Sequence, residues 1–243
     1  MRSATKHFGI GRHDPVSRFE GERPLGVALV ALSAVSIPNV SSASVAASSF
    51  PRAEEEETTA LAGGLRASKT WAQRELLVDY RGYVARMLFR VLGPRNDIDD
   101  LIHDVFVRAL ECIDRLAEGQ SVAGWLGAIA VFVAREDIRK RRRRKWLSFL
   151  SFDAIPDRES VEGSPEVSRA LSAVHDVLET LDPDERIVFA LRYIDERKLE
   201  EIAQLVRCSL ATVKRRLAKA DATFAMRAAD DPWLASWFEE GTR

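Results

Sequence analysis

Between Leu199 and Ala220 the chain reads LEEIAQLVRCSLATVKRRLAKA, two apolar stripes at helical spacing separated by three residues. Leu199, Ile202, Ala203 and Val206 give a first helix one buried face. Arg207-Cys208-Ser209 break the pattern. Leu210, Val213, Leu217, Ala220 and Phe224 then resume it as one stripe of a second helix. Two amphipathic helices joined by so short a turn bury their stripes on a common core, and no strand reading fits. Thr212, Lys214, Arg215, Arg216 and Lys219 lie off the stripe. The second helix therefore packs by one face and offers cations and a hydroxyl on the other, the form in which a recognition helix enters a major groove. A helical hairpin with a solvated basic face is the plain alternative.

Helical periodicity extends back to Trp71. A helix is predicted over Trp71–Leu92, with Leu76, Leu77, Tyr80, Val84, Met87, Leu88 and Val91 on its apolar side, ended by Gly93-Pro94. A second runs from Asp97 to about Ile113. After a polar turn, Asp114 to Ser121, a third covers about Val122 to Lys140 and is apolar through Trp125, Leu126, Ile129, Ala130, Phe132 and Val133. Seven consecutive cations follow, Arg139 to Lys145. Phe152 to Pro165 has the Pro, Gly and acid content of a flexible linker, and helices resume at Pro165. Asp182-Pro183-Asp184-Glu185 reads as a helix start, with Asp as N-cap, Pro at the first position and Glu placed to complete a capping box. The expected fold class is all-α.

Residues 1 to about 65 do not read as a folded domain. They are rich in Ser, Ala, Gly and Pro and end in the acidic run Glu54 to Glu57. Within them, Leu25 to Ile37 is an apolar segment of 13 residues, short of the ~20 that a membrane span requires. It has the look of a secretory core, but its charged leader is long for one, and export contradicts the DNA-binding pattern downstream. We read residues 1–65 as an appendage, either native or the product of a start codon set too far upstream. The intact mass of the native protein decides between the two. A net charge of −1 is silent about nucleic acid, but acids and bases lie in separate blocks. Cys112 and Cys208 stand far apart, without metal-ligand spacing, as in a reduced cytoplasmic protein. The four histidines, at 7, 13, 103 and 175, form no metal set, and no P-loop, HExxH, paired CxxC or GxSxG is present. The sequence offers no support for an enzyme, a cofactor or a small-molecule substrate.

The second helix, DIDDLIHDVFVRAL, buries Ile98, Leu101, Ile102, Val105 and Ala109 and sets Asp100, His103 and Asp104 on the other side. Like charges four apart cost a helix a few tenths of a kcal/mol. Acids near a helix N-terminus explain Asp97, Asp99 and Asp100 but not Asp104, two turns in. A face meant for a basic partner explains it better.

The order of these segments resembles the extracytoplasmic-function group of bacterial sigma factors. The pieces are DIDDLIHDVFVRAL, GWLGAIAVFVAREDIRKRRRR, LDPDERIVFALRYIDERKLEEIAQLV and SLATVKRRLAKA, over about Trp71 to Arg227. The resemblance implies a dissociable, non-enzymatic subunit of core RNA polymerase that selects promoter DNA. A first helical domain would open the minus-ten element and a second would read the minus-thirty-five element. By matching position, Asp97, Asp100, His103, Asp104 and Phe106 fall in the segment that binds the clamp helices of the largest polymerase subunit. The family usually has Gln at His103, and His would make docking sensitive to pH. The loop Asp114 to Val122 matches the one that captures a flipped base, with Val122 near the place of a usual aromatic. Trp125 and Leu126 match the family's Trp-Leu pair, and we read Trp125 as core. Val131-Phe132 stand where Arg-Asn is common. Arg135, Arg139, Arg142 and Arg143 suit phosphates of a melted strand. In the helix-turn-helix, Arg207 replaces a usual Gly, at about 1 kcal/mol if the backbone there is left-handed. Ser209 is placed as an N-cap, and Thr212, Lys214, Arg215 and Lys219 fall on the groove side.

The expectation is two small all-helical domains joined by a flexible linker. Residues 1–65 form the extension, 66–147 the polymerase-docking and minus-ten domain, 148–164 the linker, 165–227 the helix-turn-helix domain and 228–243 a tail. That tail carries Trp233 and Trp237, either as a partner patch or packed back. An anti-sigma factor is a further partner the resemblance implies. A dimeric helix-turn-helix repressor or activator would explain Leu199 to Ala220 alone, and an exported or membrane-associated interaction protein Leu25 to Ile37 alone.

Overall fold

A computed structural model describes residues 55–93, 95–117, 120–148, 165–231 and 234. The segment Leu25 to Ile37, the linker and the tail tryptophans lie outside the described residues. The described residues form helices α1 (Glu55–Arg66), α2 (Thr70–Leu92), α3 (Ile98–Glu111), α4 (Val122–Ser148), α5 (Pro165–Thr180), α6 (Pro183–Phe189), α7 (Leu199–Val206) and α8 (Leu210–Asp230). A short 3-10 turn, Ile113–Arg115, follows α3, and a π turn, Ala190–Ile194, continues α6. No strand occurs among the described residues.

Helix α1 departs from the sequence expectation. Leu61, Ala62 and Leu65 form a one-sided stripe and are buried where α1 packs on α2, so residues 55–65 are helix rather than linker. Gly64 permits this approach, because the Trp71 ring lies where its Cβ would be.

Helices α2, α3 and α4 pack together as a first bundle. Its centre holds Leu76, Val84, Leu88, Val105, Leu126 and Trp125, the last 1% exposed and therefore core. Gly93 ends α2 at φ +84°, and the ring of His175 lies against it, so both backbone and space exclude a side chain there. Helix α4 continues through the whole cation run, beyond the predicted Lys140.

Helices α5 to α8 form the second bundle, around Phe189, whose ring stacks on Phe224 with centroids 4.7 Å apart. Asp182 precedes α6 as N-cap with Pro183 in the first turn, but its side chain caps no amide and Glu185 pairs with Lys219 instead of closing a box. One helix later Glu201 accepts the Lys198 N–H at 2.9 Å, the one half of a box that a lysine N-cap allows. The two bundles also pack on each other, α4 against α6 and α7 and α2 against the π turn, so one apolar core runs through both.

Candidate functional site

The first candidate surface is the outer face of α3. Asp100, His103 and Asp104 are exposed and make no ion pair with a described residue. The same stripe continues through Val107 (39% exposed) and Glu111, one and two turns on. Sequence reasoning passed over Val107 as one more apolar residue. Its signal was a spacing of three from Asp104, off the buried stripe. Two of the five residues assigned to docking from sequence stand elsewhere. Phe106 is 3% exposed and belongs to the core with Ile102 and Val105, since it falls on the inward side of the turn. Asp97 faces back into the bundle. Its carboxylate accepts from Arg95 at 2.5 Å and from Arg141 at 2.7 Å. The Arg95 guanidinium, above all, holds its pKa down at about 2.

The second surface lies on the loop before α4 and on α4 itself. Val122 is fully buried and offers no side chain to a base, which corrects its assignment. The loop is tied down by Arg66, whose guanidinium donates to the Leu116 carbonyl at 2.8 Å, so α1 helps to shape it. Ser121 starts α4, its hydroxyl accepting from the Gly124 N–H at 3.3 Å. Val131 is core. Phe132 is 45% exposed, with the Arg108 guanidinium 5.2 Å over its ring. Arg143 is exposed, without an ion pair among the described residues. The other cations assigned to DNA are engaged. Arg135 lies 2.7 Å and Arg139 3.8 Å from Asp184, and Arg142 lies 3.4 Å from Asp182.

The third surface is α8. Arg207 adopts φ 53°, ψ 51°, the left-handed backbone at which sequence placed a usual Gly. The Ser209 hydroxyl accepts from the Thr212 N–H at 3.2 Å and lies 2.9 Å from the Thr212 hydroxyl, so both are spent in part on the cap. Val213 is buried and Leu217 partly so. Lys214 and Arg215 project into solvent unpaired among the described residues. Lys219 pairs with Glu185 at 2.5 Å and Arg216 with Asp184 at 3.0 Å; the Glu185 carboxylate raises the Lys219 pKa.

An acidic helix face, a cation-rich helix and a capped basic recognition helix thus follow one another along the chain. Residues 76–144 match the family described as Sigma-70 region 2, and residues 171–220 match Sigma-70, region 4. The chain belongs to the sigma-70 family, of the extracytoplasmic-function type. It is 27% identical over 154 residues to the ECF RNA polymerase sigma-E factor of Escherichia coli, covering 60% of this chain and 80% of that protein. The sigma-E factor of Haemophilus influenzae matches at the same identity, with 81% of its length covered. Among solved structures, CnrH in complex with the cytosolic domain of CnrY shares the fold, with a TM-score of 0.50 and 23% identity over 72% of this chain and 98% of that one. As a sigma factor the chain directs transcription initiation with core RNA polymerase at promoter DNA. Sigma factors act as regulators of transcription. No helix of the described residues is long and apolar enough to cross a membrane.

Proposed function

We propose that the face of α3 formed by Asp100, His103 and Asp104 docks this sigma factor on the clamp helices of the largest polymerase subunit. The single observation that carries this is that all three are exposed and unpaired among the described residues, while Asp97, on the same helix end, is consumed internally. In this reading residues 66–147 engage the minus-ten element. Arg135, Arg139, Arg142 and Arg143 meet backbone phosphates there, and the loop ahead of α4 receives a flipped base. Residues 165–227 read the minus-thirty-five element, with Arg215 and Lys214 nearest the groove and Arg207 and Lys219 on flanking phosphates. The chain holds no catalytic role of its own and works in the cytoplasm, where the promoter is. CnrH was solved with the cytosolic domain of CnrY, and a bound protein partner, the anti-sigma factor that the resemblance implies, is part of this reading. The test is binding of the full chain to purified core polymerase. The full chain is needed because a cut at residue 66 would remove α1 from α2. Asp100→Arg with Asp104→Arg should abolish binding while the helical circular dichroism stays unchanged. Retained binding by the folded double variant refutes the docking face.

A further inference from the structure

Trp146 has no part in the docking face or in the proposed DNA contacts. Its side chain is nonetheless 72% exposed, on a stretch of α4 that is otherwise charged. It forms one wall of an open cleft of about 420 Å³ at the C-terminal end of α4. That volume falls within the ~300–1,000 Å³ of small-molecule sites. Arg139, Arg142 and Arg143 line the cleft from α4, and Asp182, Pro183 and Asp184 line it from the start of α6. An indole held in water beside guanidiniums is a stacking platform for a flat ring that carries negative charge.

The ion pairs around the cleft are unequal. Asp184 is held by Arg135 at 2.7 Å and by Arg216 at 3.0 Å, and Arg139 stands off it at 3.8 Å. Arg142 lies 3.4 Å from Asp182, with both side chains more than half exposed. Arg143 pairs with no described residue. Pairs this long and this solvated hold their members weakly. Five guanidiniums therefore face two carboxylates, a surplus of three positive charges, and those of Arg139, Arg142 and Arg143 are the ones at liberty to turn to a ligand.

We propose that this cleft binds a free guanine nucleotide, with its base stacked on Trp146 and its polyphosphate on Arg139 and Arg143. The planar forks of arginine suit phosphate oxygens. A terminal polyphosphate matches the surplus charge, whereas a DNA strand brings one charge per nucleotide. Asp182 selects the base. Its carboxylate only accepts hydrogen bonds, and guanine offers it the adjacent N1–H and N2–H donors. Adenine sets the lone pair of its N1 at that place. The site does not depend on the docking face. It shares Arg139, Arg142 and Arg143 with the proposed phosphate contacts, so nucleotide and promoter compete for them.

The experiment is calorimetric titration of the full chain with GTP, ATP and inorganic triphosphate, in ~0.1 M salt without divalent cations. One GTP should bind per chain, with ATP roughly 10-fold weaker because it leaves the Asp182 carboxylate unmatched. Trp146→Ala should weaken GTP by about 10-fold and leave inorganic triphosphate unchanged. Asp182→Asn should abolish the preference for GTP over ATP. Trp146 is exposed and the Asp182 side chain caps no amide, so both variants should keep the helical circular dichroism of wild type. Arg143→Ala should weaken all three ligands alike. Equal binding of the three ligands, indifferent to Trp146, marks a plain basic patch and overturns the proposal. So does the absence of GTP binding at ~1 mM. A short guanine-containing DNA strand that binds through Trp146 while GTP does not would give the cleft to the melted strand, and likewise overturns it. Polymerase enters none of these titrations, so failure of the docking face leaves their result standing.

Discussion

Arg207→Gly should make this protein more stable and a poorer DNA binder. Arg207 sits at φ 53°, ψ 51°, directly after α7. The Cys208 N–H donates back to the Ala203 carbonyl at 3.1 Å, a helix ending that requires the left-handed residue between them. A side chain with a Cβ costs about 1–2 kcal/mol in that conformation, while glycine costs roughly 0.5–1 kcal/mol in unfolded-chain entropy. The net gain is about 0.5–1 kcal/mol, or roughly 1–4 °C in Tm for a chain of this size. Thermal melts of the full chain by circular dichroism read this directly. Glu196, at φ 53°, supplies the control, because it sits in the same strain ahead of α7 with no assigned DNA role. Glu196→Gly should raise Tm by a similar amount and leave DNA binding alone. Arg207→Gly should in addition lower the salt dependence of duplex binding by about one phosphate, a change of ~0.9 in the log–log slope. If Glu196→Gly stabilises and Arg207→Gly does not, the strain argument fails at Arg207. Parallel salt slopes would remove its phosphate contact.

Ser209→Ala should cost about 1 kcal/mol in urea-denaturation stability through the lost cap on Thr212, and a cost near zero would mean that water replaces it. Phe106→Ala should cost about 3–5 kcal/mol as a core cavity, whereas His103→Ala should leave the melt unchanged and weaken only polymerase binding; the opposite pattern would return Phe106 to the surface. The depressed pKa of Asp97 means that its ion pairs stabilise the fold above the ordinary carboxylate range near 4 and are lost as pH falls through about 2. The full shift corresponds to roughly 2.5 kcal/mol, and screening of a carboxylate that is 39% exposed leaves about 1 kcal/mol. Asp97→Asn should therefore flatten the acid limb of the stability curve between pH 4 and 2, and an identical limb in the variant would refute the assignment.

The local signals in the sequence carried the helix-turn-helix almost residue by residue. The stripe at Ile202 and Val206, the break at Arg207 and the cap at Ser209 each report a backbone property of that residue and its near neighbours. Helix α1 was missed because the glutamate run and the Gly63-Gly64 pair outweighed the stripe of Leu61, Ala62 and Leu65. Its burial depends on α2, which local composition does not register. Phe106 and Val122 were placed on the surface by matched position, although each is apolar and adjoins a buried stripe; the periodicity alone would have put both inside. The pairing of Arg135 with Asp184 and of Arg90 with Asp195 was illegible for another reason. Partners about 50 and 105 residues apart are chosen by how two bundles meet, and nothing local encodes that.

The cation run shows how one charge block divides its labour by helical angle. Arg141 points to Asp97 and, at 3.2 Å, to Asp137, while Arg95 joins both acids from the other side. This part of the run is structural, because it fixes the start of α3 and hence the direction in which Asp100 and Asp104 face. Arg142 and Lys145 cross instead to the second bundle, on Asp182 and Glu179. Lys140, Arg143 and Arg144 are exposed and pair with no described residue. Seven cations in a row on a helix cannot all face one way, at about 100° per residue. An unbroken run therefore supplies an internal brace, a seam and an outer face unpaired among the described residues, the one proposed above for DNA. Substituting Arg141 should consequently impair polymerase docking through α3 before it impairs phosphate contact, whereas Arg143 should do the reverse.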